Sequence, residues 1–144
     1  MIVIASDHAG VDLKARIVEL VSEIGHEVRD LGPVDTTSVD YPDFAHAVAR
    51  AVETGEAERG ILVCGTGIGM SLAANRHPQI RAALCHDAFT AEMARRHNDA
   101  NVLCIGARST GPGVAEQMVR IFVDTQFEGG RHQQRVEKIE REDR

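Results

Sequence analysis

Gly60-Ile61-Leu62-Val63-Cys64-Gly65-Thr66-Gly67-Ile68-Gly69 is the stretch on which the fold turns. Gly60 to Cys64 is uncharged and reads as a strand buried on both faces, while the three glycines after Cys64 demand a tight turn into a short helix. A buried strand running directly into a helix is half of a strand-helix-strand unit, which predicts a parallel sheet covered by helices. At such a junction glycines let backbone amides face an oxyanion or phosphate without side-chain obstruction, so Gly65 to Gly69 is a candidate anion cradle.

The pattern continues in both directions. Further strands are predicted at Ile2 to Ala5, Glu27 to Asp30, Arg81 to Cys85 and Asn101 to Gly106. Between them, Leu13, Ile17, Leu20, Val21 and Ile24 recur at helical spacing before Gly25, which predicts a helix over residues 10–24. A second helix opens at Pro42 and turns Phe44, Val48 and Val52 to one side before Gly55. Asp87 is placed to cap a helix over 88–96, and Pro112 to open one whose Val114, Met118, Ile121 and Phe122 face inward. From Arg131 onward the chain reads as a charged terminal helix. The expectation is one α/β domain over residues 1–144, with a five-stranded parallel sheet.

Composition narrows the function. Hydrophobic residues make up 43% of the chain but aromatics only 3%, so Ala, Val, Ile and Leu must build the interior. Twenty-two acidic against 16 basic residues give a formal charge of -6, which argues against a nucleic-acid surface, and an anionic ligand would need a local cluster of donors. No run approaches the roughly 18 apolar residues of a membrane span, and the start has no basic leader, so a cytoplasmic protein is expected. Cys64, Cys85 and Cys104 are odd in number and lie in apolar runs without metal-knuckle spacing, so neither disulfides nor a metal site is expected.

In an open parallel sheet, ligands bind outside the carboxyl ends of the strands. Asp7 and His8, the loop from Cys64 to Gly69, His86 and Asp87, and Arg108 all fall there. Cys64, at a strand end beside a helix start, lies in a field that favours thiolate, whereas Cys85 and Cys104 read as buried core. Taken singly, each feature has a plainer reading. Asp7 caps the next helix, His8 is a loop residue, residues 95–101 close a helix, and Arg131 and Arg135 are surface charges four apart. The glycine loop also fits a packing turn or a nucleotide site, since Asp87 stands 22 residues beyond Gly65, although Met70 breaks the dinucleotide fingerprint.

Together, SDHAG (6–10), DYP (40–42), CGTGIGMSLAANR (64–76), RRHNDANVL (95–103) and GGRHQQRVE (129–137) resemble the ribose-5-phosphate isomerase B family, which includes galactose-6-phosphate isomerase subunits. The resemblance spans almost the whole chain. It implies a three-layer Rossmann-like fold, a C-terminal helix serving as a dimer arm, and a homodimer or homotetramer with shared sites. It implies D-ribose 5-phosphate to D-ribulose 5-phosphate isomerisation, in the non-oxidative pentose phosphate pathway, without a cofactor or metal. Carried over residue by residue, it makes Cys64 the proton-abstracting base and has Thr66 handle the hydroxyl proton. The amides of Gly65, Gly67, Ile68 and Gly69 stabilise the enediolate, and His97 opens the furanose ring. Asp7 lies near the ring oxygens, Asn98 orients the sugar, Tyr41 lines its pocket, and His8, Arg108, Arg131 and Arg135 hold the phosphate. His97, Asn98 and Arg108 would reach in from the second subunit. One branch of the family replaces the cysteine by a glutamate at the position of Met70, so Cys64 is the consistent base here. Allose 6-phosphate, galactose 6-phosphate or a tetrose phosphate are alternative substrates, and a non-catalytic nucleotide-binding module is the alternative class.

Overall fold

The computed structural model describes residues 1–140. Five strands, β1 Ile2–Ser6, β2 Val28–Asp30, β3 Arg59–Cys64, β4 Ala82–Leu84 and β5 Val102–Gly106, form one sheet in the order β2-β1-β3-β5-β4. Every neighbouring pair is parallel. The helices are α1 Val11–Glu23, α2 Tyr41–Glu53, α3 Ile68–Ala74, α4 Ala88–Arg96, α5 Pro112–Asp124 and α6 Gln133–Glu137, with 3-10 turns at His8–Gly10 and Gly130–His132. The expected α/β architecture with helices on both faces of a five-stranded sheet is therefore present.

Period-two alternation along the strands explains the two cores. Ile2, Ile4, Ile61, Val63, Leu103 and Ile105 pack with buried residues of α1, α4 and α5, among them Ile17, Ala91 and Phe122. Val3, Ala5, Leu62, Cys64, Val102 and Cys104 pack on the other face with Ala45, Val48 and Ala49 of α2 and Met70 and Ala74 of α3. The small residues matter because they let helices sit close: a Cβ at Gly60 would collide with Val48. The buried Arg59 guanidinium donates to the carbonyls of Phe122 (2.6 Å) and Val123 (2.8 Å), tying the start of β3 to the end of α5.

Three sequence expectations change at the edges. Val114 is 41% exposed, because the apolar stripe of α5 runs through Ala115, Met118, Val119, Phe122 and Val123. β4 is shorter than Arg81 to Cys85, since the Arg81 amide turns to the side-chain oxygen of Asn101 at 2.8 Å. The charged C-terminal segment is a 3-10 turn followed by the five-residue α6, and residues 141–144 of the expected terminal helix lie outside the described residues.

Topology fixes where a ligand can enter. The connection from β1 runs to β2 at one side of the sheet, whereas that from β3 runs toward β4 on the other, so a crevice opens between the carboxyl ends of β1 and β3.

Candidate active site

Cys64 ends β3 at that crevice, only 5% exposed. Its Sγ accepts the backbone N–H of Gly67 at 3.1 Å, which holds the sulfur at the head of the glycine loop. The turn that aims this amide needs glycine, because Gly67 has φ +79° and a Cβ there would stand 3.0 Å from the Ile105 carbonyl carbon. Thr66 is exposed, and its hydroxyl oxygen accepts the amide of Ile68 at 3.3 Å. Two of the loop's amides are thus engaged within the loop itself.

Other residues gather on this rim. The amide of Asp7 donates to Val63 at 3.0 Å, setting Asp7 beside the end of β3, and its carboxylate accepts the amide of Ala9 at 2.9 Å. The Asp7 carboxylate therefore caps the turn that leaves β1. His8 Nδ1 accepts the amide of Val39 at 3.2 Å, which fixes the tautomer with its proton on Nε2 and anchors the segment between β2 and α2. That segment is also held by buried Lys14, whose ammonium donates to Asp30 (2.8 Å) and to the Pro33 carbonyl (2.6 Å). Tyr41, at the first position of α2, lays its ring over Gly69. The Arg108 amide donates to the Gly65 carbonyl at 2.9 Å, and its guanidinium extends along Gly65.

The remaining predicted residues lie elsewhere. His97 caps the carboxyl end of α4, which starts at the rim of β4 and runs nine residues, roughly 13 Å, back toward the amino ends of the strands. Chain direction therefore separates His97 from Cys64 within one chain. His97, Asn98 and Arg135 line one pocket of ≈ 340 Å³ together with His132. The sequence-based grouping of His97, Asn98 and Arg108 is thus redrawn: Arg108 sits with Cys64, whereas Arg131 and Arg135 accompany His97 and Asn98 on the opposite rim. The reason is the run of α5 back to the amino side, which brings the turn at residues 128–132 under the end of α4.

There, Glu128 Oε1 stands 3.9 Å from His97 Nε2 and 3.6 Å from His132 Nε2, while Arg96 Nε donates to Oε2 at 2.6 Å. These contacts hold the Glu128 carboxyl below the usual range, with the Arg96 hydrogen bond dominant. The His132 imidazole is pushed down by burial and by its electrostatic interaction with neighbouring His97 and Arg131. Donor atoms of His97, Glu128 and His132 fall within 4.8 Å of one another, the one metal-capable trio among the described residues. With Arg96 on the carboxylate and Arg131 and Arg135 close by, the surroundings favour an anion over a dication. Glu128 carries no motif signal of its own in the sequence, and the only signal for His132 is its place in the GGRHQQR block between Arg131 and Arg135.

The nucleotide reading loses its acid. Asp87 is committed to α4, accepting from the Thr90 amide (2.7 Å) and hydroxyl (2.8 Å).

A family profile described as ribose/galactose isomerase matches residues 2–139. The chain belongs to the ribose/galactose isomerase family. This isomerase is 48% identical over 133 residues to the ribose-5-phosphate isomerase B of Escherichia coli, covering 92% of this chain and 89% of that protein. It is 44% identical over 140 residues to the D-erythrulose-4-phosphate isomerase of Pectobacterium atrosepticum, covering 96% and 91%. Its fold superposes on the ribose-5-phosphate isomerase B of Clostridium thermocellum with a TM-score of 0.94 at 49% identity, covering 96% and 93%. It is a sugar-phosphate isomerase, whose substrates are small molecules. Among the described residues, no helix is long and apolar enough to cross a membrane.

Proposed function

We propose that this isomerase interconverts D-ribose 5-phosphate and D-ribulose 5-phosphate through an enediolate, at sites each completed by two copies of the chain. The observation that carries the chemistry is the Gly67 amide on Cys64 Sγ at the head of the glycine loop. A thiolate there takes the proton from C2 of the open-chain aldose and returns it to C1, needing no metal or cofactor. Thr66 passes the hydroxyl proton between O2 and O1. Charge that develops on these oxygens meets the remaining loop amides, the place where preorganised donors lower a barrier most.

Ring opening comes first. His97 protonates the furanose ring oxygen while Asp7 accepts the anomeric hydroxyl proton. Because His97 and Cys64 occupy opposite rims of one chain, the pair meets only when the His97 rim of one copy covers the Cys64 rim of another. That arrangement supports a homodimer, alone or paired into a tetramer, in which Arg131 and Arg135 arrive with His97 and Asn98 to meet the phosphate beside His8 and Arg108. A cytoplasmic role in pentose phosphate metabolism accords with this activity.

The name of the Pectobacterium relative supports a second reading, a four-carbon ketose phosphate, and longer six-carbon phosphates share the same grip. Comparing kcat/KM across tetrose, pentose and hexose phosphates decides between them: ribose 5-phosphate is expected to lead, and a larger value for another sugar would replace it. The Cys64→Ala variant should lose turnover on every sugar while still binding substrate. Near-native turnover would remove Cys64 as the base.

A further inference from the structure

We propose that His132 is a positioning residue for ring opening, fixing the plane of the His97 imidazole by face-to-face stacking while Glu128 anchors both rings. The proposal rests on the reading of His97 as the ring-opening group. The two rings are nearly parallel, with centroids 4.2 Å apart and an interplanar angle of 14°. His97 is the C-cap of α4, one residue beyond Arg96, with a side chain 37% exposed, so its two side-chain torsions need an external constraint. His132 supplies one because it is itself fixed, with a side chain only 10% exposed and a backbone amide bonded to Gly129 at 3.1 Å.

Glu128 ties the pair to α4. Its amide donates to the Arg96 carbonyl at 3.0 Å, and its Oε2 takes the Arg96 guanidinium, leaving Oε1 facing the Nε2 atoms of both histidines. Arg95 adds a third stitch, donating to the Thr125 carbonyl at 3.0 Å. Gly129 and Gly130, with φ +67° and +55°, turn the chain tightly enough to slide the His132 ring beneath His97. His132 also lines the pocket shared with His97, Asn98 and Arg135, so it is part of the site wall and not core filling.

Stacking of this kind serves one step only. A cyclic substrate needs His97 in register with its ring oxygen, whereas an acyclic enediolate mimic has no ring to open. The test is to measure kcat/KM for ribose 5-phosphate and Ki for 4-phosphoerythronohydroxamate, an open-chain mimic, in His132→Ala, His132→Phe, Glu128→Gln and His97→Asn. His132→Ala should lower kcat/KM by roughly tenfold or more, the scale of a misplaced catalytic group, and change Ki less than about twofold. His132→Phe, which restores a stacking ring, should recover most of the loss. Glu128→Gln should show a smaller loss confined to the cyclic substrate, and it carries the test if His132→Ala does not fold.

Equal losses of kcat/KM and mimic binding would overturn the proposal, because they mark a merely structural role. So would native kcat/KM in His132→Ala, or in Glu128→Gln where that variant carries the test. A His97→Asn variant with native turnover would overturn the reading beneath it as well, whereas an inactive His97→Asn beside a native-like His132→Ala would overturn this inference alone.

Discussion

The ring of Tyr41 rests on Gly69 so closely that a Cβ at residue 69 would stand 2.6 Å from two of its carbons. Tyr41 is 39% exposed and attached at the start of α2, so its ring can swing outward if pushed. Gly106 has a different kind of neighbour: a Cβ there would meet the backbone of Thr66 at 2.7 Å, and backbone cannot step aside.

These two glycines therefore predict opposite phenotypes. Gly69→Ala should leave the melting temperature within a few degrees but raise KM, because the displaced Tyr41 no longer lines the sugar pocket. Gly106→Ala should destabilise by about 1–3 kcal/mol through overpacking and disturb the Cys64 loop with it. Thermal melts beside steady-state kinetics check both, and a strongly destabilised Gly69→Ala would show that Tyr41 is wedged rather than hinged.

Thiol chemistry should single out Cys64. Burial pushes the Cys85 thiol up and the fully buried Cys104 thiol far above its ordinary value, so neither forms a thiolate readily in the folded protein. Cys64 has the Gly67 amide on its sulfur and sits at the crevice. Iodoacetamide on the native protein, followed by peptide mass spectrometry, should modify Cys64 first, abolish turnover in proportion, and be slowed by ribose 5-phosphate. Modification of Cys85 or Cys104 at a matching rate would contradict the burial argument.

How much of this was legible in sequence depends on the distance over which each feature is encoded. The strands, the Asp87 cap and the glycine turn are local: uncharged runs, a carboxylate before a helix, and glycines where φ is positive. The placement of Arg108 beside Gly65, and of Arg131 and Arg135 beside His97, depends on which way α4 and α5 run across the sheet, a property of topology rather than of any motif. Glu128 was invisible for the same reason. Its partners Arg96, His97 and His132 come from both sides of α5, and nothing in its own neighbourhood marks it as different from a surface acid.

The Asp87 cap makes a pH prediction. Hydrogen bonds from the Thr90 amide and hydroxyl hold the Asp87 carboxyl below the usual range. A carboxyl depressed in the folded state stabilises the fold above its unfolded value, about 4, and ceases to do so as pH falls through the folded value. Asp87→Ala should therefore melt below the parent at pH 7, and the gap should close progressively below about pH 4. A gap that persists undiminished in acid would mean that the carboxylate charge contributes nothing to the cap.

Separation of Cys64 and His97 onto opposite rims leads to the sharpest test of a shared site. Cys64→Ala and His97→Asn chains should each be inactive as pure proteins. Unfolded together in equal amounts and refolded, they would form about half mixed dimers, by random pairing of a two-fold assembly. In a mixed dimer, one site receives both substitutions and the other receives neither, because the intact Cys64 of one chain faces the intact His97 of its partner. Activity should return to about a quarter of that of wild-type protein treated identically, as expected when one site in two is native in half of the dimers. Were both groups supplied by one chain, every site in the mixture would carry a lesion, and no activity would return at any mixing ratio.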